Sequence, residues 1–253
     1  MQATAICGVC RPRDYYKSCY NRSVAALTPD RLRLARERAG FTQQQAAKRL
    51  GVSQAYLALM ETGRRRVTEP VGLKIVGLYR LGPAFLPLLV DVLEFWDSAY
   101  LAKALANLGY PGFRHLLGGP RDNPTVVLLA ALSRPNLEVR VVEGLPWIVL
   151  EYCDLDWDWL IPESKVRDVQ NRLGFIVTLG RRIAAKRGGG AAQSKLREVE
   201  ERLDQARLAR EDSLCQGSLS EAERSWLRRA RPADARHWNL LTDLDAEHLP
   251  YAA

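Results

Sequence analysis

Between residues 28 and 82 the apolar positions fall at helical spacing in four short runs, each set off by punctuating residues. "TPDRLRLARERAG" opens on Thr28, has Pro29 at the first helical position and closes at Gly40. "TQQQAAKRLG" runs from Thr42 to Gly51, and "SQAYLALMETG" from Ser53 to Gly63. The fourth run, "VGLKIVGLYRL", continues to Gly82 and Pro83. Ser and Thr at these starts offer an oxygen to the unpaired N–H groups of a first helical turn. Pro is tolerated where that N–H has no partner anyway, and Gly can take the left-handed conformation that ends a helix. Such spacing predicts a small bundle of short helices over residues 28–82.

Beyond Gly82 the period stays helical, and the spacing predicts helices over 84–108, 124–133, 137–152 and 163–186. The breaks are "GYPGF", "LGGPRDNP", "SRPN" and "LDWDWLIPE", each rich in turn-forming residues. "LEVRVV" alternates as a strand would, but no partner strand is evident and the segment is read as helical. "RGGG", from Arg187 to Gly190, ends a helix and is read as a hinge. The next segment places Leu196, Val199, Leu203 and Ala206 at steps of three and four, with Glu198 four residues before Arg202. Two heptads either pack back onto the preceding domain, the favoured reading, or form a dimer seam. A short helix over 220–230 precedes the tail.

The expected fold class is therefore all-α, with a helix-turn-helix bundle at 28–82 and a larger helical domain at 83–187 for dimerisation, sensing or partner binding. Residues 188–253 supply a hinge, an amphipathic helix and a tail. Residues 1–27 show no period and are read as a flexible arm. The greasiest stretch, "PAFLPLLVDVLEFW", is interrupted by Asp91 and Glu94, which marks a buried helix rather than a membrane span. With no secretory signal at the N-terminus and no cysteine framework, the cytoplasm is the expected compartment.

Charge sharpens the picture. The chain carries +8, and its distribution is uneven. Residues 28–80 hold eleven Lys or Arg against four Asp or Glu, and residues 1–27 hold four against one. The remaining residues hold 22 basic and 24 acidic groups, so all the excess positive charge lies in the first third. A basic module on a neutral body is what phosphate binding requires.

Docking a helix in the major groove needs a second helix braced across it through a tight turn. Ala46 and Ala47 are small enough for that close approach, Gly51 suits the turn, and Val52, Leu57 and Met60 share the inward side. Residues 28–80 resemble the lambda-repressor-like, or Cro/Xre-type, helix-turn-helix family. The family pattern is matched without a gap by Thr42, Gln43, Ala47, Leu50, Gly51, Val52, Ser53, Gln54, Leu57, Glu61, Gly63 and Arg65. The resemblance implies a DNA-binding face built from Gln43, Ser53, Gln54, Ala55, Tyr56, Leu59, Arg64, Arg65 and Arg66. Gln43 resembles the family's phosphate-contacting Gln, and Tyr56 a position that meets the backbone. Gln54 stands at the leading reading position, where Gln can pair with adenine N6 and N7. Ala55 and Leu59 depart from the family's polar choices and offer a base only apolar contact. Arg64, Arg65 and Arg66 supply phosphate charge, and Glu61 is expected to salt-bridge within the domain. A helix-turn-helix kept only as a protein-docking shape is the competing reading.

Other candidates carry less. Cys7, Cys10 and Cys19 lack a fourth zinc ligand nearby. Asp154, Asp156 and Asp158 are spaced as in a calcium loop, but Trp159 and Lys165 occupy positions that need Gly and Glu. Arg172, Arg181 and Arg182 near Gln170 and Asn171 are read as the exposed basic face of an amphipathic helix. No phosphate loop, nucleophile elbow or His–Glu zinc pair occurs, so no catalytic role, metal or cofactor is expected. The expected function is a DNA-binding transcriptional regulator, a repressor that binds double-stranded DNA as a homodimer. The alternative is an antitoxin that autoregulates its operon and neutralises a toxin through residues 83–253.

Overall fold

The structure is a computed structural model that describes residues 27–86, 88 and 96–251. The arm at 1–26, the motif formed by Cys7, Cys10 and Cys19, and Asp91 and Glu94 lie outside the described residues.

Four helices form the N-terminal module: α1 (Pro29–Arg38), α2 (Gln43–Leu50), α3 (Gln54–Glu61) and α4 (Glu69–Leu78). The caps fall where the sequence places them. Thr28, Thr42 and Ser53 each accept a hydrogen bond from a backbone N–H of the first turn. Thr42 and Gln45 close a reciprocal capping box. Gly51 has φ +72°, the left-handed conformation that turns the chain from α2 into α3. Leu32, Ala35, Ala46, Ala47, Leu50, Leu57, Met60 and Ile75 form the module's own core, joined by Leu27 from the end of the arm.

A second core runs from Leu88 to Tyr251. It is built on α5 (Ser98–Leu108), α6 (Pro124–Leu132), α7 (Val139–Glu143), α8 (Leu145–Glu151), α9 (Trp157–Val166), α10 (Gln170–Lys186) and α11 (Gly190–Asp204). All nine residues of α6 are buried, as its uniformly apolar sequence requires. Thirteen of the seventeen residues of α10 are buried too, which makes it the central post of the body. Helix α11 turns back along α10 at Gly188 (φ +70°) and buries Leu196, Val199 and Leu203 against it. That stripe is a packing face, and the one core extends across residues 187–188.

The chain ends with α12 (Glu221–Ala230), α13 (Ala233–His237) and two strands of two residues, β1 (Asp212–Ser213) and β2 (Leu240–Leu241), paired in parallel. The all-α class holds, and "LEVRVV" is helical from Val139 on, within α7, while Leu137 and Glu138 precede the helix.

Five expectations need correction. The run predicted as one helix over 84–108 holds a 3-10 turn at Pro83–Phe85 and a separate helix at Ser98–Leu108, which Asp97 caps. Residues 137–152 form two short helices that meet at Gly144, because Pro146 has no N–H to carry one helix through and its ring crowds the carbonyl four residues back. The supposed loop "LDWDWLIPE" holds most of α9, which Asp156 caps by accepting from the Trp159 N–H. Helix α9 then stops near Asp168, whose φ of +57° breaks the predicted helix 163–186.

The fifth correction concerns the basic face. Gln170, Asn171 and Arg172 are buried rather than solvated. Arg172 donates two hydrogen bonds to Asp212, at 2.7 and 3.0 Å, and others to the carbonyls of Leu132 and Arg134. Asn171 pairs in both directions with the Leu208 backbone. Arg181 bonds Glu200 and Arg182 bonds Asp234, so these side chains tie later segments to α10.

Candidate nucleic-acid interface

Leu57 and Met60 anchor α3 in the module core, and Glu61 is buried with them. Glu61 accepts from Arg36 Nε at 2.6 Å and from the second Arg36 nitrogen at 3.1 Å. Gln43 Nε2 donates to the same carboxylate at 2.9 Å. Arg36 reaches the Phe41 carbonyl as well, at 2.8 Å. One carboxylate thus ties α1, α2 and α3 together, and the expected internal salt bridge of Glu61 is present. The hydrogen bond to Glu61 raises the affinity of the Arg36 guanidinium for its proton, against the opposing effect of burial. Close by, burial and the Glu61 charge push the Tyr79 hydroxyl up to about 12.

Arg36 was not among the sequence candidates, although a signal for it exists. It lies on the stripe formed by Leu32, Ala35 and Ala39, and an Arg on a buried stripe requires a buried acid.

The opposite side of α3 faces out. Ser53, Gln54, Ala55 and Leu59 are exposed, and Tyr56 is half-buried. After Gly63 (φ +73°) the chain folds back, and the Arg65 N–H donates to the Leu59 carbonyl at 3.0 Å. This turn sets Arg64, Arg65 and Arg66, all exposed, at the C-terminal end of α3, where the helix dipole favours positive charge. The Arg65 guanidinium lies over the Tyr56 ring at 5.5 Å, so an arginine of the cluster rests along α3 itself. Arg49, on α2, covers Phe41 at 4.4 Å.

Every sequence-derived position except Gln43 and Tyr56 is therefore exposed, and Tyr56 lies half-buried under Arg65. Gln43 is half-buried, with its amide nitrogen turned to Glu61. The body does not cover this surface. It meets α1 instead, where Arg31 donates to the Asp154 carbonyl at 3.0 Å and lies over Phe85.

Two helices braced through a glycine turn, with the second presenting its outer side beside a cationic cluster, define a helix-turn-helix DNA-binding segment. A family model described as a helix-turn-helix domain matches residues 30–89, which span the four helices of the module apart from Pro29. No curated protein and no solved structure matches the chain. Elsewhere, no group of His, Cys, Asp and Glu able to hold a metal ion is found among the described residues. No helix among them is long and apolar enough to cross a membrane.

The outward side of α3 leads to a first prediction. Gln54 is the exposed reading position able to make a bidentate base contact, so Gln54→Ala should reduce discrimination at one base pair by about 1–3 kcal/mol. Non-specific affinity, carried by phosphate contacts, should stay nearly constant. Competition binding between matched and single-substituted duplexes would show the change. Leu59→Arg should raise non-specific affinity in the same assay.

Proposed function

We propose that the protein is a transcriptional regulator, a repressor of the Cro/Xre type, that binds double-stranded DNA as a homodimer on a two-fold site. The observation that carries this reading is the open surface of α3. With the body in place, Gln54, Ala55, Leu59 and Arg64 to Arg66 remain exposed, while the residues facing inward are locked by the Arg36–Glu61 pair.

Phosphate charge supplies most of the affinity, and Gln54 supplies the direct reading. Ala55 and Leu59 add apolar contact to thymine methyl groups. Because the direct readout is thin, DNA shape and the spacing of two half-sites supply further specificity. The body at 83–253 holds the two copies together, since one such module makes few contacts by itself.

Selection of the whole chain on random duplex DNA, followed by footprinting, tests the proposal. The expected result is two protected half-sites about one helical turn, or a multiple of it, apart on one face of the duplex. A selection that enriches no sequence would contradict it. Protection of a single half-site would contradict the dimer alone.

A further inference from the structure

We infer that the outer face of α12 is the seam of a two-fold dimer of this chain, with two copies of the helix lying antiparallel about Trp226. This rests on the reading of the protein as a homodimer and names the surface involved.

Helix α12 is held to the body by one buried side chain, Leu227, and by a set of arginines. Arg224 bonds the Leu219 carbonyl, Arg228 pairs with Glu211 and Glu221, and Arg231 bonds the Leu240 carbonyl. These bonds fix which way the helix faces. They leave Trp226 52% exposed, and an indole that open is an anchor without a pocket.

Residues three and four positions away share its face, namely Glu223 and Arg229, then Ala222 and Ala230, and all are exposed. The pattern reads the same outward from Trp226 in both directions, except that the charge changes sign. A two-fold contact must be self-complementary, each residue meeting its counterpart on the other copy. Antiparallel pairing about Trp226 sets each Glu223 against an Arg229, brings the small Ala222 and Ala230 together, and covers both indoles. Parallel pairing would oppose like charges.

Both charges are available. Arg229 makes no ion pair among the described residues. The capping bonds to Glu223, from the Ser220 N–H at 2.7 Å and the Ser220 hydroxyl at 2.6 Å, both fall on Oε2, which leaves Oε1 open. Trp and Arg are also the residue types that dominate interface energetics.

A ten-residue helix is about 15 Å long. Against its own copy it covers less than the roughly 800 Å² per partner of a standard interface. The free protein therefore associates weakly, and two adjacent half-sites on DNA raise the effective concentration enough to hold the pair.

Sedimentation equilibrium of the whole chain across its soluble concentration range tests the seam. Wild type should show a monomer–dimer equilibrium. Arg229→Glu, which opposes Glu223 of the second copy, should weaken it roughly tenfold or more, and Arg229→Ala should weaken it less. Trp226→Ala should weaken it as well. Arg229 is exposed and Trp226 is 52% exposed, so circular dichroism should be unchanged in all three variants. Glu223→Lys alone should also dissociate, but an equimolar mixture with Arg229→Glu should associate again, because the mixed pair restores both opposite-charge contacts. A wild-type dimer indifferent to Arg229→Glu and Trp226→Ala would place its seam elsewhere and overturn the inference while leaving the dimer standing. A wild type that stays monomeric throughout would overturn the seam, whereas the dimer on DNA stands or falls by its paired half-sites in the footprint.

Discussion

Glu61→Ala should destabilise the helix-turn-helix module by about 3–5 kcal/mol, the cost of leaving a buried charge without its partner. Arg36 and Glu61 side chains are 9% and 2% exposed, and Arg36 cannot escape by losing its proton at any ordinary pH. With the Glu61 carboxylate gone, the guanidinium keeps the Phe41 carbonyl and a long 3.5 Å contact to the half-exposed Glu37, a weak replacement for the two short bonds it loses. Gln43 loses its anchor in the same step, so the angle between α2 and α3 loosens together with the core. All six Trp lie at position 96 or beyond, so their fluorescence reports the body and is blind to the module. Amide hydrogen exchange over 29–78 should therefore show the loss, while the fluorescence-detected unfolding midpoint stays in place. The paired replacement Arg36→Leu with Glu61→Leu should cost less than Glu61→Ala, because it removes the charge as well as the partner. Unchanged exchange protection in Glu61→Ala would show that the pair does not brace the module.

Trp238→Ala should have a comparable effect on the body, about 3–5 kcal/mol for an aromatic side chain removed from a closed core. Trp238 has no exposed surface, and its indole N–H donates to the Thr178 hydroxyl at 2.8 Å. Thr178 Oγ1 in turn lies 2.6 Å from Glu200 Oε1, which joins α10, α11 and the C-terminal segment at one point. The ring fits because residue 174 is glycine. A Cβ there would come within 2.3 Å of the indole, closer than any side chain tolerates. Gly174→Ala should thus destabilise the same region by overpacking, by about 1–3 kcal/mol. Here the readouts reverse, with the fluorescence transition shifted and module exchange unaffected. A loss under about 1 kcal/mol in Trp238→Ala would mean that the site collapses readily around the missing ring.

The module was legible in the sequence because its signals are local. A capping oxygen acts within three residues, and Gly40, Gly51 and Gly63 sit at φ near +70°, where the punctuation put them. The outward set of α3 followed from the same periodicity. Arg36 is less legible, because its partner is 25 residues away. The body was harder for the same reason. The partners of Arg172 and Asn171 lie 40 and 37 residues away, so the sequence gives no sign that they are buried. Locally they looked like a solvated polar face. Helix α9 resembles a loop in sequence because its Asp cap, two Trp and Pro162 each match turn chemistry when taken singly.

The central claim is that the outer side of α3 and the arginines after it meet DNA. Its most direct test is the salt dependence of duplex binding by the whole chain, wild type against the triple replacement of Arg64, Arg65 and Arg66 by Ala. These three side chains are exposed, so their loss should leave the fold intact. Affinity should fall for every duplex sequence alike. The slope of log K against log salt should flatten by about 0.9 for each phosphate contact removed. A triple variant with the wild-type slope and affinity would take this surface out of the interface and contradict the account.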